Sequence, residues 1–593
     1  MKVQVPVIVK DPEVSDYKGI HPTEIVDIDE DRCLDGPISP RVAVLDFDPK
    51  SGRLESGVPF VAAADARKPG SYDIPDPLTS AGGPISREAA AVSLFGTIHK
   101  TLQLFEEPDA LGREVTWAFD SPQLLAVPRA GDWPNAFYER ESRSVQFFSF
   151  DSGGRTVFTG HSQDIVAHET AHAIVDGVAP DLYNAITPQA LAIHESVADL
   201  TAVLCSMRSE ELVRGVLNAR DSIADSNVFS GIGEQFARAL EVKRHYLRNL
   251  NNTRSLRSDA PDADRVDRAD PHSLSEVLSG ALYRVLIDIF DELKGEYHTK
   301  NIASEEIVEA DEAAFSVKQA RQYAPDKTMH TTAPIKALYV AAQRFKRTLY
   351  RGLDYLPPGD ATFADLGRTI LAADQASHPD SSRQRDRLIS EFLQRGIVPS
   401  VADLAVQTNF EHPSMRGLDL EDLVESDYVA YEFANLNRRL LNIPNDVTFE
   451  VRPRLDVKRL YWHREGSRTM REILFKVAWT ETETATVTGL PRKRRFSRGT
   501  TLAIKAPDTG SRQPPEIRTV VSTGATAEAR RDRTAFLGRL IATRTLRIGE
   551  TAVGPTGKLL RGAIRGDLRD GALRVKGTNR FLHVTGEPLW PTR

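Results

Sequence analysis

The sequence predicts an α+β fold on three observations. The front is rich in Pro, Gly and Asp with short alternating runs, the middle keeps a helical hydrophobic period, and the tail consists of short extended runs separated by Gly, Pro and Thr. At 593 residues the chain is too long for a single core, because domains average about 150 residues, and roughly four units are expected. Their boundaries read as 1–164 for a mixed N-terminal lobe, 165–399 for a helical lobe, 400–445 for a linking, partly helical segment, and 446–593 for a β-rich C-terminal domain.

Within the first unit, residues 41–47 alternate like a strand. Residues 86–107 carry Ala89, Val92, Leu94, Phe95, Ile98, Leu102 and Phe105 at helical spacing after a Ser- and Pro-containing entry, which predicts a helix. Residues 114–119 and 144–150 are predicted as extended, and they flank a Gly-, Asp- and Pro-containing loop over 131–138. After Asp164 the pattern becomes helical over 165–177, 188–207, 274–293, 334–350, 362–373 and 382–395. Beyond Ile397 a hydrophilic stretch reaches Asn445, and strands follow over 447–451 and 472–479. The basic run 491–498 reads as a solvated charged face or a partner-binding loop.

Composition narrows the function classes. The 76 Lys and Arg against 83 Asp and Glu leave a formal charge of -7, with 40% hydrophobic and 7% aromatic residues, so the chain can bury enough surface to fold. Nucleic-acid binding is not expected, since it normally requires a strongly basic domain or stripe. Cys33 and Cys205 are far apart and outside any CxxC, which excludes a disulfide scaffold or a cysteine zinc site and makes both reduced packing residues. The amino terminus has only a brief apolar stretch, interrupted at Pro6 and ended at Lys10, in place of a signal-peptide core. The expected location is therefore cytoplasmic, or outside the cell by a route without a classical signal peptide. No membrane span is expected either, because the most apolar stretch, 277–290, is cut by Arg284 and Asp288 and reads as a buried amphipathic helix.

The chemistry is concentrated in residues 165–200, IVAHETAHAIVDGVAPDLYNAITPQALAIHESVADL. On a helix, His168 and His172 stand one turn apart on one side, so both imidazoles can reach a single metal ion. A second helix reads HESVADL, and its Glu195 and Asp199 are again four apart. Catalytic zinc takes three protein ligands and keeps a place for water, so His168, His172 and Glu195 make a complete set for one Zn2+. Glu169 lies near the open coordination position without being a ligand, and it can accept the proton of the attacking water. Asp199 can hold a ligand imidazole by accepting its N–H.

With these residues in view, the chain resembles the thermolysin-like zinc metallopeptidases, of the HExxH-plus-Glu group. The resemblance covers about 86–397, roughly half the chain, and implies a two-lobe peptidase fold with the zinc helix at the junction and a C-terminal domain added to it. It implies that Asn135, Ala136, Phe137 and Tyr138 form an edge strand that binds the substrate backbone. It also matches Asp176 to a carboxylate beside the site, Tyr183 to an active-site tyrosine, and Arg257, within Ser255-Leu256-Arg257-Ser258, to an arginine that holds a substrate carbonyl. His272 matches a histidine that, with the tyrosine, stabilises the oxyanion, oriented by Asp267 or Asp270. Ile165 and Leu256 supply apolar walls for the residue after the cut. His194 is read as an outer or packing residue and His161 as a loop residue near the site. Asp164 matches a carboxylate of the family's calcium cluster, but Ser206 stands where another is required, so a structural Ca2+ is not carried over.

The implied function is zinc-dependent endopeptidase activity on a peptide or protein substrate, with an apolar residue preferred on the leaving side. The alternative is a non-catalytic binding or structural protein that keeps the metallopeptidase fold and docks a protein partner through its C-terminal domain.

Overall fold

The computed structural model describes residues 2–12, 23–29, 32–48, 50–64, 68–74, 85–185, 187–220, 222–224, 227–240, 246–299, 333–377, 383–463, 466–484, 493–508, 511, 513–524, 526–543, 546–548, 564–569 and 572–576. Over these the architecture is mixed α and β, with several sheets.

The front lobe is built on the helix Arg87–Glu106, whose first turn is capped by Ser86 Oγ accepting the Ala89 N–H. Strand Lys2–Ile8 lies directly against this helix at Gly96, where an added Cβ would come within 2.5 Å of Val7. A four-stranded sheet runs in the order Val42–Val44, Leu124–Val127, Ser144–Phe147, Ala136–Glu139. Its first three strands are parallel, and the last is antiparallel and forms the edge. The expected strand over 114–119 is irregular instead. Side chains satisfy its backbone: Val115 N–H donates to Glu106 Oε1 at 2.7 Å, and Val115 O accepts from Arg41 at 2.9 Å.

The helical lobe follows the predicted period closely. Its helices are Gln163–Val178, Pro188–Ser206, Pro271–Thr299, Ala333–Tyr355, Phe363–Ser377 and Arg383–Gln394. Ser162 and Thr187 cap the first two, and Pro188 occupies a first-turn position where no N–H is needed. The two lobes share one continuous core, in which Val5 and Phe95 from the front pack in the same cluster as Ile174, Leu200 and Leu286. Neither Cys33 nor Cys205 is in a disulfide, and both are buried. Among the described residues, no helix is long and apolar enough to cross a membrane.

The tail is organised around antiparallel strands Leu455–His463, Gly466–Thr484, Lys493–Lys505 and Glu516–Ser522. Residues 400–445 do more than connect. Strand Thr408–Phe410 pairs with Glu516–Ser522, and Met415, Leu423, Phe433 and Leu441 pack in one core with Ile473, Phe475 and Leu502. Their apolar faces were diluted in the sequence by the exposed charges between them. Helix Ala527–Ala542 also belongs to this part of the chain, and its Phe536, Leu537 and Leu540 join the main core. In the basic run, residues 491–492 lie outside the described residues, and Arg494 is buried against Glu483.

Charged side chains seal the seam between tail and helical lobe. Arg459 is fully buried, with Nη1 2.8 Å from Glu472 Oε2, Nε donating to Leu111 O at 3.1 Å, and an ion pair to Asp354. Asp354 also pairs with Arg113 at 2.7 Å, and Tyr355 O–H donates to Glu472 Oε1 at 2.6 Å.

Candidate metal centre

Helix geometry alone brings His168 and His172 to one side of Gln163–Val178, and their Nε2 atoms lie 3.0 Å apart. Helix Pro188–Ser206 packs across them and delivers Glu195, whose carboxylate oxygens lie 3.6 Å from His168 Nε2 and 3.5 Å from His172 Nε2. The three side chains are buried, and one atom from each lies within 4.8 Å of the others. Ligand atoms about 2.0–2.1 Å from a tetrahedral ion are about 3.3 Å from one another, so this trio has the spacing a metal requires. Glu195 Oε1 is buried without a hydrogen-bond partner, and the nearest cationic donor is the Arg248 guanidinium, with Nη2 3.5 Å from His168 Nε2. A set of two nitrogens and one oxygen suits zinc among the common divalent ions.

The surrounding groups orient these ligands. Asp199 Oδ1 lies 3.0 Å from His168 Nδ1, and His194 Nδ1 lies 2.7 Å from His172 Nδ1. Burial disfavours a charged His168, but Asp199 and Glu195 outweigh it and raise its pKa to about 9. Burial likewise disfavours the Glu195 carboxylate, which His272, His172 and His168 nonetheless hold well below the usual carboxylate range.

Glu169 is buried beside the trio, and its Oε2 accepts the Tyr138 N–H at 3.0 Å. The edge strand Ala136–Glu139 thus meets helix Gln163–Val178 through its backbone. Ala136 N–H, two residues earlier and on the same side, donates to Asn135 Oδ1 at 2.8 Å. The Phe137 and Tyr138 side chains are not open to a cleft: Phe137 packs against Trp133 and Phe148, and Tyr138 O–H donates to Asp176 Oδ2 at 2.8 Å. Asp176 touches none of the trio. It ties Tyr138 and Arg140 together, with Arg140 Nε 2.7 Å from Asp176 Oδ2.

Tyr183 is buried with its ring 5.1 Å from His194 and the Arg140 guanidinium 5.2 Å from its centroid. Burial, then the nearby Asp176 and Tyr138, push its phenol well above the usual value, which keeps it a proton-bearing donor. His272, at the start of Pro271–Thr299, reaches the site with Nε2 3.5 Å from Glu195 Oε1.

Three expected residues take other places. Arg257 is half exposed and paired with Asp259 at 2.6 Å, because its segment is a surface turn. The arginine at the centre is Arg248, with Nη2 2.8 Å from Asp199 Oδ1 and Nη1 3.4 Å from Glu195 Oε2. It lies in the short strand Arg248–Asn249, which has no periodic pattern to mark it, so only order along the chain could have pointed to this region. Asp267 is exposed and paired with Arg539 of the tail helix, whereas Asp270 faces His272, accepting its backbone N–H at 3.2 Å with its carboxylate 3.8 Å from Nδ1. Leu256 is half-buried in the main core with its N–H bonded to Arg395 O, and Ile165 is buried one turn before His168. His161 is half-buried and stacked on Phe158, outside the trio.

At Asp164 the structure holds an internal cation: Lys10 Nζ lies 2.6 Å from Asp164 Oδ2 and donates to Gly231 O at 2.7 Å, while Ser206 Oγ donates to Asp164 Oδ1 at 3.0 Å. Compared with known proteins, the chain matches no family model and no curated protein.

Proposed function

We propose that the chain is a zinc-dependent endopeptidase, and the observation that carries this reading is the buried His168, His172 and Glu195 trio with Glu169 between it and a sheet edge. His168, His172 and Glu195 would hold a zinc ion, which when bound would supply Lewis acidity and lower the pKa of a water molecule. The chain's own residues do the rest. An extended peptide adds alongside the edge strand Ala136–Glu139, which orients its scissile group toward the trio. Glu169 takes the proton of the attacking water and passes it to the leaving amine. Tyr183 O–H and His272 N–H donate to the oxyanion that develops, in a site whose burial strengthens both. Ile165, on the helix that carries His168, supports a preference for an apolar residue on the leaving side.

The deciding experiment is metal analysis of the purified chain combined with cleavage of a diverse peptide library, comparing the parent with Glu169→Gln. The expected result is one zinc per chain in both and chelator-sensitive cleavage by the parent alone, reduced in the variant by about 10²- to 10⁴-fold. Stoichiometric zinc with no cleavage by either protein overturns the peptidase and leaves a binding module with the same fold.

A further inference from the structure

Tyr183 sits on the five-residue helix Pro180–Asn184, which is too short to hold its own shape. What fixes it comes from outside. On one side Arg140 of the front lobe donates to Asn184 Oδ1 at 2.9 Å and covers the Tyr183 ring. On the other side Arg452, just past strand Phe449–Val451 of the tail, places Nη2 3.1 Å from Asp181 Oδ1. Arg452 is itself aimed by Glu450, 2.6 Å from Nη1, and its backbone N–H donates to Lys476 O at 2.8 Å in the main tail sheet. Asp181, Asn184 and Arg452 line one cavity of about 620 Å3 between the helical lobe and the tail. Burial disfavours the Asp181 carboxylate, and Arg452 is first among the groups that offset this.

From this clamp we infer that Arg452 is a positioning residue for Tyr183: the tail, through the Arg452–Asp181 ion pair, holds the short helix so that the Tyr183 ring keeps its place against His194, which in turn meets His172. The inference rests on the peptidase reading and adds to it a role for the tail. A guanidinium can span from the tail sheet to a carboxylate and keeps its charge at any working pH, so the cation of the pair stays in place as a donor to Asp181. Small displacements of a donor aimed at a developing charge are costly, which is why a contact on the far face of this helix reaches the chemistry.

The test uses the full chain loaded with zinc, as parent, Arg452→Ala, Arg452→Lys and Asp181→Asn, each also combined with Tyr183→Phe. Peptide cleavage is read as kcat and KM. Independently, 19F NMR of chains labelled with 3-fluorotyrosine follows the Tyr183 line, assigned by its loss in Tyr183→Phe. Arg452→Ala and Asp181→Asn should each lower kcat about tenfold, with KM and zinc content within about twofold of the parent, and should shift the Tyr183 line. Arg452→Lys should recover most of both effects, and in the Tyr183→Phe background neither cut should lower kcat further. Asp181→Asn makes the same cut with little change in shape, should Arg452→Ala fail to fold. A Tyr183 line unmoved in the folded variants, or an equal loss of kcat with and without Tyr183, overturns the inference. If the parent cleaves nothing, the peptidase reading fails on its own, and the 19F line alone decides whether Arg452 positions Tyr183.

Discussion

Asp199 Oδ1 lies 3.0 Å from His168 Nδ1, on the opposite edge of the ring from the Nε2 atom that faces His172. Asp199 and Glu195 are one helical turn apart, so a single helix contributes both a ligand atom and the group that orients another ligand. Accepting the Nδ1 proton leaves the Nε2 lone pair for a metal ion and raises its basicity.

Asp199→Ala should therefore weaken zinc binding by about 10- to 100-fold while leaving the fold intact. Competition against a chelator of known affinity, with circular dichroism as the check on folding, measures this. A dissociation constant equal to the parent's would remove Asp199 from the metal centre.

The seam at Arg459 makes a stability prediction. Its guanidinium is fully buried between Asp354 and Glu472, so Arg459→Met leaves the buried Glu472 carboxylate without its cation and Asp354 with Arg113 in place of two arginines. The expected cost is about 3–5 kcal/mol in urea unfolding of the full chain. The loss should appear in the helical lobe as well as in the tail, because Asp354 belongs to helix Ala333–Tyr355. An unchanged unfolding midpoint would show that the seam contributes nothing.

His99 governs part of the acid response. Burial, and to a smaller extent Arg41, push its pKa down from 6.5 to about 3, and its Nε2 is 3.2 Å from Ser39 Oγ. The folded chain holds this imidazole neutral, while the unfolded chain protonates it below pH 6.5. Its contribution is thus fully present above about pH 6.5 and is lost as the pH falls toward 3, amounting in the limit to a few kcal/mol. Unfolding titrations with chelator present, so that metal release does not interfere, should show His99→Gln with a shallower loss of stability across pH 6 to 4 than the parent. Parallel curves would assign the acid response to other groups.

Helices Gln163–Val178 and Pro188–Ser206 were legible because their information is local. HETAH and HESVADL place side chains at a spacing of four, and a helix turns that spacing into a shared face whatever surrounds it. The same holds for the helix entries at Ser86, Ser162 and Thr187, where one side-chain oxygen meets a backbone N–H within three residues. The edge strand was legible by resemblance, although the side chains of Phe137 and Tyr138 turn into the protein and only the backbone meets Glu169. The choice between Asp267 and Asp270 was not legible. Both are near His272 in sequence, and the packing of Arg539 from the tail helix draws one of them away.

By itself the sequence determined the helix after Ser86 and the long helices of the helical lobe, and which of their residues share a face, since both follow from hydrogen bonding and periodicity within a few residues. Tertiary structure alone decided which arginine reaches Glu195 and Asp199, that Lys10 neutralises Asp164, and that the tail is fused to the helical lobe through Arg459 and Arg452. Those contacts join residues far apart along the chain. A charged side chain far from its partner in sequence reads as a solvated one, and its burial becomes favourable only when folding brings the opposite charge to meet it.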